Sequence, residues 1–108
     1  GKLYWIGNIC PENPTGNEPR YPLVAGQVDE DNFGIVKNTV QVIDSRDPKT
    51  DSLNVQLSNF SVAEDPATGN FIVQLSRLDY GPGGTYEGRE WPVMRYEVNV
   101  IGPGKETL

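Results

Sequence analysis

Apolar and polar residues alternate with a period of two along most of this chain, and no segment carries a convincing 3.6-residue period. Six segments read as strands. Leu3 to Ile9 is rich in aromatic and β-branched residues and runs into a Pro/Asn/Gly stretch. Tyr21 to Val28 follows, then a turn over Asp29 to Gly34. Ile35 to Ile43 reads as one alternating strand, with Val36, Val40 and Val42 on one face and Lys37, Thr39 and Gln41 on the other. After a polar loop from Asp44 to Asp51, Leu53 to Ala63 alternates with a change of phase. Leu53, Val55 and Leu57 share one face, while Phe60 and Val62 have the opposite parity, the mark of a bulge or a sharp bend. The turn from Glu64 to Asn70 carries Pro66 and Gly69, and Phe71 to Leu78 is the return strand. Met94, Tyr96, Val98 and Val100 close the pattern, alternating with Arg95, Glu97 and Asn99. The expectation is an all-β protein of antiparallel strands with essentially no helix. Loops 10–20 and 79–92 are long for hairpins, and long loops are where β proteins build sites.

Composition sharpens this picture. A length of 108 residues allows one domain, and 12 glycines with 9 prolines suit short strands joined by turns. A net charge of -6 argues against nucleic acid, and no apolar run is long enough to span a bilayer. The chain has no histidine, hence neither the commonest general base nor the commonest metal ligand. Cys10 is the single cysteine, so it can form no internal disulfide and no zinc cluster, and it reads as a small buried hydrophobe. The chain opens on Gly1 without a signal peptide, which reads as a processed or excised piece. No cofactor and no metal are expected.

The order of segments resembles the blade pattern of sialidase-like β-propellers, the BNR-repeat family. The resemblance rests on Tyr4-Trp5-Ile6-Gly7-Asn8, then Arg20-Tyr21-Pro22-Leu23-Val24, then Ser58-Asn59-Phe60-Ser61-Val62 before the turn Asp65 to Gly69 and the strand Phe71 to Leu75. It implies about two blades of such a propeller, a small β-sandwich being the alternative architecture. On that resemblance the 108 residues are expected to be one all-β unit, the C-terminal part of a larger ring of about six blades, with roughly 3–43 giving three strands of one blade and 53–101 three of the next. The resemblance then implies that its edges are completed by the remainder of a longer chain or by self-association. The resemblance also implies a carbohydrate ligand and a secreted or periplasmic location.

At the Arg-x-Pro-Leu position, Arg20 corresponds to the arginine with which sialidase-like proteins bind a substrate carboxylate, a role suited to a planar bidentate guanidinium. Asn59 stands where those enzymes carry a tyrosine nucleophile, and an amide cannot form the covalent glycosyl intermediate. The Asp-box turn Ser-x-Asp-x-Gly-x-Thr-Trp is also absent. The chain alone is therefore read as non-catalytic.

From the residues themselves, Arg20 lies between Pro19 and Tyr21-Pro22, a stiff context that aims its side chain; the plain alternative is a solvated loop arginine. Tyr4, Trp5, Tyr21, Tyr80, Tyr86 and Trp91 are candidates for sugar stacking, with Tyr21, Tyr86 and Trp91 joining Arg20 and Asn59 as substrate-binding residues. Tyr4 and Trp5 point to opposite faces of one strand, and Trp5 is assigned to core or inter-blade packing. Asp79, Glu87 and Glu90 offer carboxylates without a spacing that fixes a glycosidase pair. Asp29, Glu30 and Asp31 lack calcium-loop spacing, and Gly81-Pro82-Gly83-Gly84 lacks the lysine and helix of a phosphate loop. Asn59-Phe60-Ser61 matches a glycosylation triplet but falls inside an expected strand. The competing function is a stand-alone β-sandwich that binds or assembles without catalysis.

Overall fold

The computed structural model describes residues 2–10, 19–79 and 91–99. Nine strands are formed there: β1 (Tyr4–Asn8), β2 (Leu23–Asp29), β3 (Gly34–Ile35), β4 (Gln41–Asp44), β5 (Val55–Gln56), β6 (Ser61–Glu64), β7 (Phe71–Ser76), β8 (Leu78–Asp79) and β9 (Val93–Val98). All named strand pairs are antiparallel: β1 and β4 flank β2, β3 extends the far end of β2, β6 and β9 flank β7, and β5 pairs with β8. Among the described residues, neither the four-stranded sheet of β1 to β4 nor the three-stranded sheet of β6, β7 and β9 closes on itself.

The two sheets meet across one apolar core. Register places Tyr4, Ile6, Leu23 and Ala25 on one face of the first sheet. Phe71, Val73, Leu75, Met94, Tyr96 and Val98 share a face of the second. Leu23, Ala25, Val73, Leu75 and Val98 are buried in a single cluster with Val55 and Leu57, and Ile6, Ile43 and Phe60 pack around it. The Tyr4 ring meets Phe71 edge to face at 5.6 Å, which joins the sheets at the end away from Leu23. Tyr4, not Trp5, is thus the aromatic that faces the core. Trp5 lies on the opposite face, 36% exposed, with its ring over Gly7; a Cβ at Gly7 would sit 2.5 Å from that ring.

Two of the expected strands are broken. Ile35 to Ile43 is interrupted by a 3-10 turn at Lys37–Thr39. Thr39 causes the break: its hydroxyl donates to the Val36 carbonyl at 2.6 Å and accepts the Gln27 N–H at 2.9 Å, so a side chain replaces one rung of the ladder. Past the turn the register jumps between Leu23 and Val24, which oppose Asp44 and Val42. Ile43 is the extra residue and packs on the core, whereas Val42 is 62% exposed, so the expected common inward face of Val36, Val40 and Val42 does not form.

Leu53 to Ala63 is likewise split into β5 and β6, and the break falls where the hydrophobic phase slips. Asn59 has φ 56°, a left-handed conformation that asparagine tolerates, and it turns the chain between Leu57 in the core and Phe60 against it. Asn59 therefore lies in a turn and not inside a strand, and Leu53, expected on the face of Val55 and Leu57, is instead 67% exposed. The hairpin turn between β6 and β7 forms as its chemistry requires. Asp65 N–H bonds to the Asn70 carbonyl at 2.8 Å, Gly69 N–H to the Asp65 carbonyl at 2.7 Å, and Gly69 takes φ 75°.

Candidate functional site

The start of β2 and the stretch just after β5 are tied together at one end of the two sheets. Arg20 forms a parallel bridge with Gln56, and the Leu57 N–H donates to the Arg20 carbonyl at 2.9 Å. Asn8, the last residue of β1, donates from Nδ2 to the carbonyls of Pro22 (3.2 Å) and Leu57 (3.1 Å). With the Arg20 backbone fixed in this way, its guanidinium Nη1 donates to Ser58 Oγ at 3.2 Å, across 38 positions of sequence. Arg20 is half-buried and Asn59, the next residue after Ser58, is exposed. The structure thus brings Arg20 and the Ser58-Asn59 turn together.

The other candidates separate. Tyr21, joined to Pro22 by a cis peptide bond, packs against the core and is half-buried. Trp91 is half-buried just before β9, and the neighbouring Pro92 carbonyl accepts the Arg77 N–H at 2.9 Å. Tyr86 lies outside the described residues, as do Tyr80, Glu87, Glu90 and the Gly81–Gly84 run. Asp79 is used structurally: its carboxylate accepts the N–H and the hydroxyl of Ser52. Asp29 turns inward on its own loop, accepting the Asp31 N–H at 3.0 Å and Asn32 Nδ2 at 3.0 Å, and those bonds hold its carboxyl below the usual range. Among the described residues, no three acidic or cysteine side chains gather to hold a metal ion. Cys10 is half-buried and donates to the Pro19 carbonyl.

A polar cluster at this same end joins residues from three separated stretches of the chain. Arg77, between β7 and β8, forks onto Asp51 with Nη1 at 3.0 Å and Nη2 at 2.9 Å. Its Nε reaches Asp44 at 3.1 Å, and Nη2 also donates to the Ser45 carbonyl at 3.0 Å. Tyr96, from β9, donates its hydroxyl to Asp44. Charge-assisted, planar pairing of this kind is the strong form of hydrogen bond, and here it bridges the two sheets. The bonds from Arg77 hold the Asp51 carboxyl below its usual range, and the two carboxylates raise the Arg77 pKa. Burial raises the Tyr96 pKa first, and its bond to Asp44 second, which keeps the phenol protonated and makes it a poor nucleophile at neutral pH.

A pH dependence follows from these directions. Because the folded pKa of Asp51 is depressed, its contribution is present above the ordinary carboxylate pKa of about 3.9 and is lost as pH falls through the folded value. Tyr96 is raised, so its contribution is present below the ordinary phenol pKa of about 10 and fades as pH rises beyond it. Urea unfolding should therefore give a midpoint that drops below about pH 4 and again above about pH 10. Asp51→Asn should flatten the acid limb, and an unchanged acid limb in that variant would remove Asp51 from the account.

Comparison of the chain with protein-family models, with curated proteins and with solved structures finds no match.

Proposed function

We propose that this chain is a carbohydrate-directed segment of a sialidase-like β-propeller, in which Arg20 contributes a guanidinium to a glycan site and Asn59 stands beside it in place of a tyrosine nucleophile. The observation that carries the reading is the Arg20 Nη1 to Ser58 Oγ bond, which sets the guanidinium next to the Ser58-Asn59 turn at the shared end of both sheets. Arg20 is held by its backbone, so the fork is aimed before a ligand arrives, and preorganisation lowers the cost of binding. The four-stranded and three-stranded sheets are consistent with portions of two adjacent blades, and the remainder of a ring comes from a longer chain or from self-association. Asn59 supplies no nucleophile, so the segment binds and does not itself cleave.

Titration of the full chain with N-acetylneuraminic acid and with glucuronic acid tests this. Arg20→Ala should weaken binding of the acidic sugar at least tenfold, which corresponds to about 1.4 kcal/mol, while the melting temperature moves by only a few degrees. Unfolding of the variant, together with no binding by the native protein, would end the assignment of Arg20.

A second reading has its own support. The buried residues of both sheets form a single cluster, as in a β-sandwich that binds or assembles without catalysis. Light scattering with intact mass separates the two: a cooperative monomer of 11.9 kDa favours the sandwich, and a longer chain or a closed oligomer favours the ring.

A further inference from the structure

β6 ends the second sheet. It pairs with β7 alone, and of the nine strands formed by the described residues it is the one exposed along its whole length. Ladder parity fixes which of its main-chain groups are free. The Asp65 N–H bonds to the Asn70 carbonyl, and the register places Ala63 opposite Ile72 and Ser61 opposite Gln74, so Ser61 and Ala63 turn their N–H and C=O groups toward β7. Val62 and Glu64 turn theirs outward, where no strand of the described residues pairs with them. The side chains carry the apolar layer out to this edge: Val62 lies opposite buried Val73 and is itself 45% exposed. The other edge of the same sheet differs. There β9 lies against the first sheet, with the Tyr96 hydroxyl on Asp44 and Gln41 Nε2 donating to the Asn99 carbonyl at 3.0 Å.

An edge of this kind is a template for another strand, and sheet proteins commonly blunt it with proline, lysine or a bulge. β6 has no proline, no lysine and no register shift against β7; its one charge, Glu64, stands at the hairpin end. A second copy of the chain fits this edge by symmetry. Two β6 strands laid antiparallel about a two-fold axis at Val62 exchange both N–H···O bonds of the Val62 pair. The side chains agree with that register. The two valines meet on the core-side face, and each Glu64 comes opposite the partner's Phe60, so the two carboxylates stand about 13 Å apart along the strand. Centring the axis on Ala63 or Glu64 would bring those carboxylates together. We infer that the β6 edge binds a second copy of this chain, the two strands antiparallel and centred on Val62. The pair forms one continuous open sheet and not a ring, so the inference rests on the sandwich reading and names the surface by which that module assembles.

Sedimentation equilibrium of the full chain from micromolar to millimolar concentration tests this, and a monomer–dimer equilibrium is expected. Each copy carries a charge of -6, so added salt should strengthen the dimer. Val62→Pro removes an outward N–H that makes no bond to β7, and an edge strand tolerates proline at such a position. It should weaken the dimer at least tenfold and leave the melting temperature within a few degrees. Val62→Lys sets two ammonium groups face to face at the axis and should have the same effect. Val42→Lys, on the outer face of the first sheet, should leave the dimer unchanged. A chain that stays monomeric at millimolar concentration overturns the inference, and so does a dimer that survives both Val62 substitutions or that Val42→Lys disrupts. If that monomer unfolds in one cooperative transition, the sandwich reading stands without this edge. If the dimer forms as expected and its Val62→Pro monomer unfolds in two separate steps, the edge stands and the sandwich reading falls.

Discussion

Arg77→Ala should destabilise the protein by about 3 kcal/mol, among the larger effects available to a single side chain outside the apolar core. The guanidinium is 18% exposed and its partners Asp44 and Asp51 are 22% and 10% exposed, so the pairs are largely withdrawn from water. Removing the cation leaves two carboxylates at the sheet junction that keep neutral donors, Tyr96 and the Ser45 N–H on Asp44 and the Asp47 N–H and Thr50 on Asp51, but lose their counter-charge. The cost is dominated by that stranded charge and not by the lost contact area, which makes a distinctive pH dependence. In acid Asp51, no longer held down by Arg77, takes up a proton more readily than in the wild type, and the difference between the two proteins should shrink below its neutral value. Arg77→Lys keeps the charge but loses the fork, and should recover only part of the loss. Denaturant unfolding of the three proteins at pH 7 and pH 3 provides the check; a penalty equal at both values would mean that Arg77 acts through packing alone.

The expectation of an all-β antiparallel protein holds, and so do the positions of β1, β2, β7 and β9, because each has at least five residues rich in apolar side chains, with burial alternating along β7 and β9. The turn from Asp65 to Gly69 was equally legible, since its proline and glycine each impose a backbone angle. The break inside Ile35 to Ile43 was not. Its cause is a single threonine hydroxyl substituting for ladder bonds, and the only trace in the sequence is the four-residue step from Val36 to Val40 where two is expected. The Arg77 cluster was missed for a related reason. Its members come from three separated stretches, so no local motif announces it. A signal did exist: Arg77 has the same parity as Phe71, Val73 and Leu75, and a charge on the inward face of a strand demands partners. Arg20 and Asn59 show the other limit. Their residue types could be weighed singly, yet their proximity depends on Leu57 bonding to both Arg20 and Asn8, a long-range pairing that strand periodicity does not encode.

Leu57 is where core and candidate site depend on the same residue, and Leu57→Ala should test whether they separate. Its side chain is 0% exposed, enclosed by Leu23, Val55, Val73 and Leu75 among others in the shared cluster. Truncation there removes about three carbons of buried surface and leaves a cavity between sheets that are pinned by Arg77 and cannot fully collapse, so a loss of about 3–4 kcal/mol is expected. The main-chain bonds of Leu57 to Arg20 and Asn8 do not involve the deleted atoms. If those bonds hold the Arg20–Ser58 geometry, the variant should keep its acidic-sugar affinity within about threefold in native buffer while its unfolding midpoint falls steeply. If affinity falls with stability instead, Arg20 is aimed by the packing of the Leu57 side chain and not by its backbone. Measuring unfolding and titration on one preparation distinguishes these outcomes. Leu57→Val, which removes a single methylene, should cost about 1 kcal/mol and leave binding unchanged.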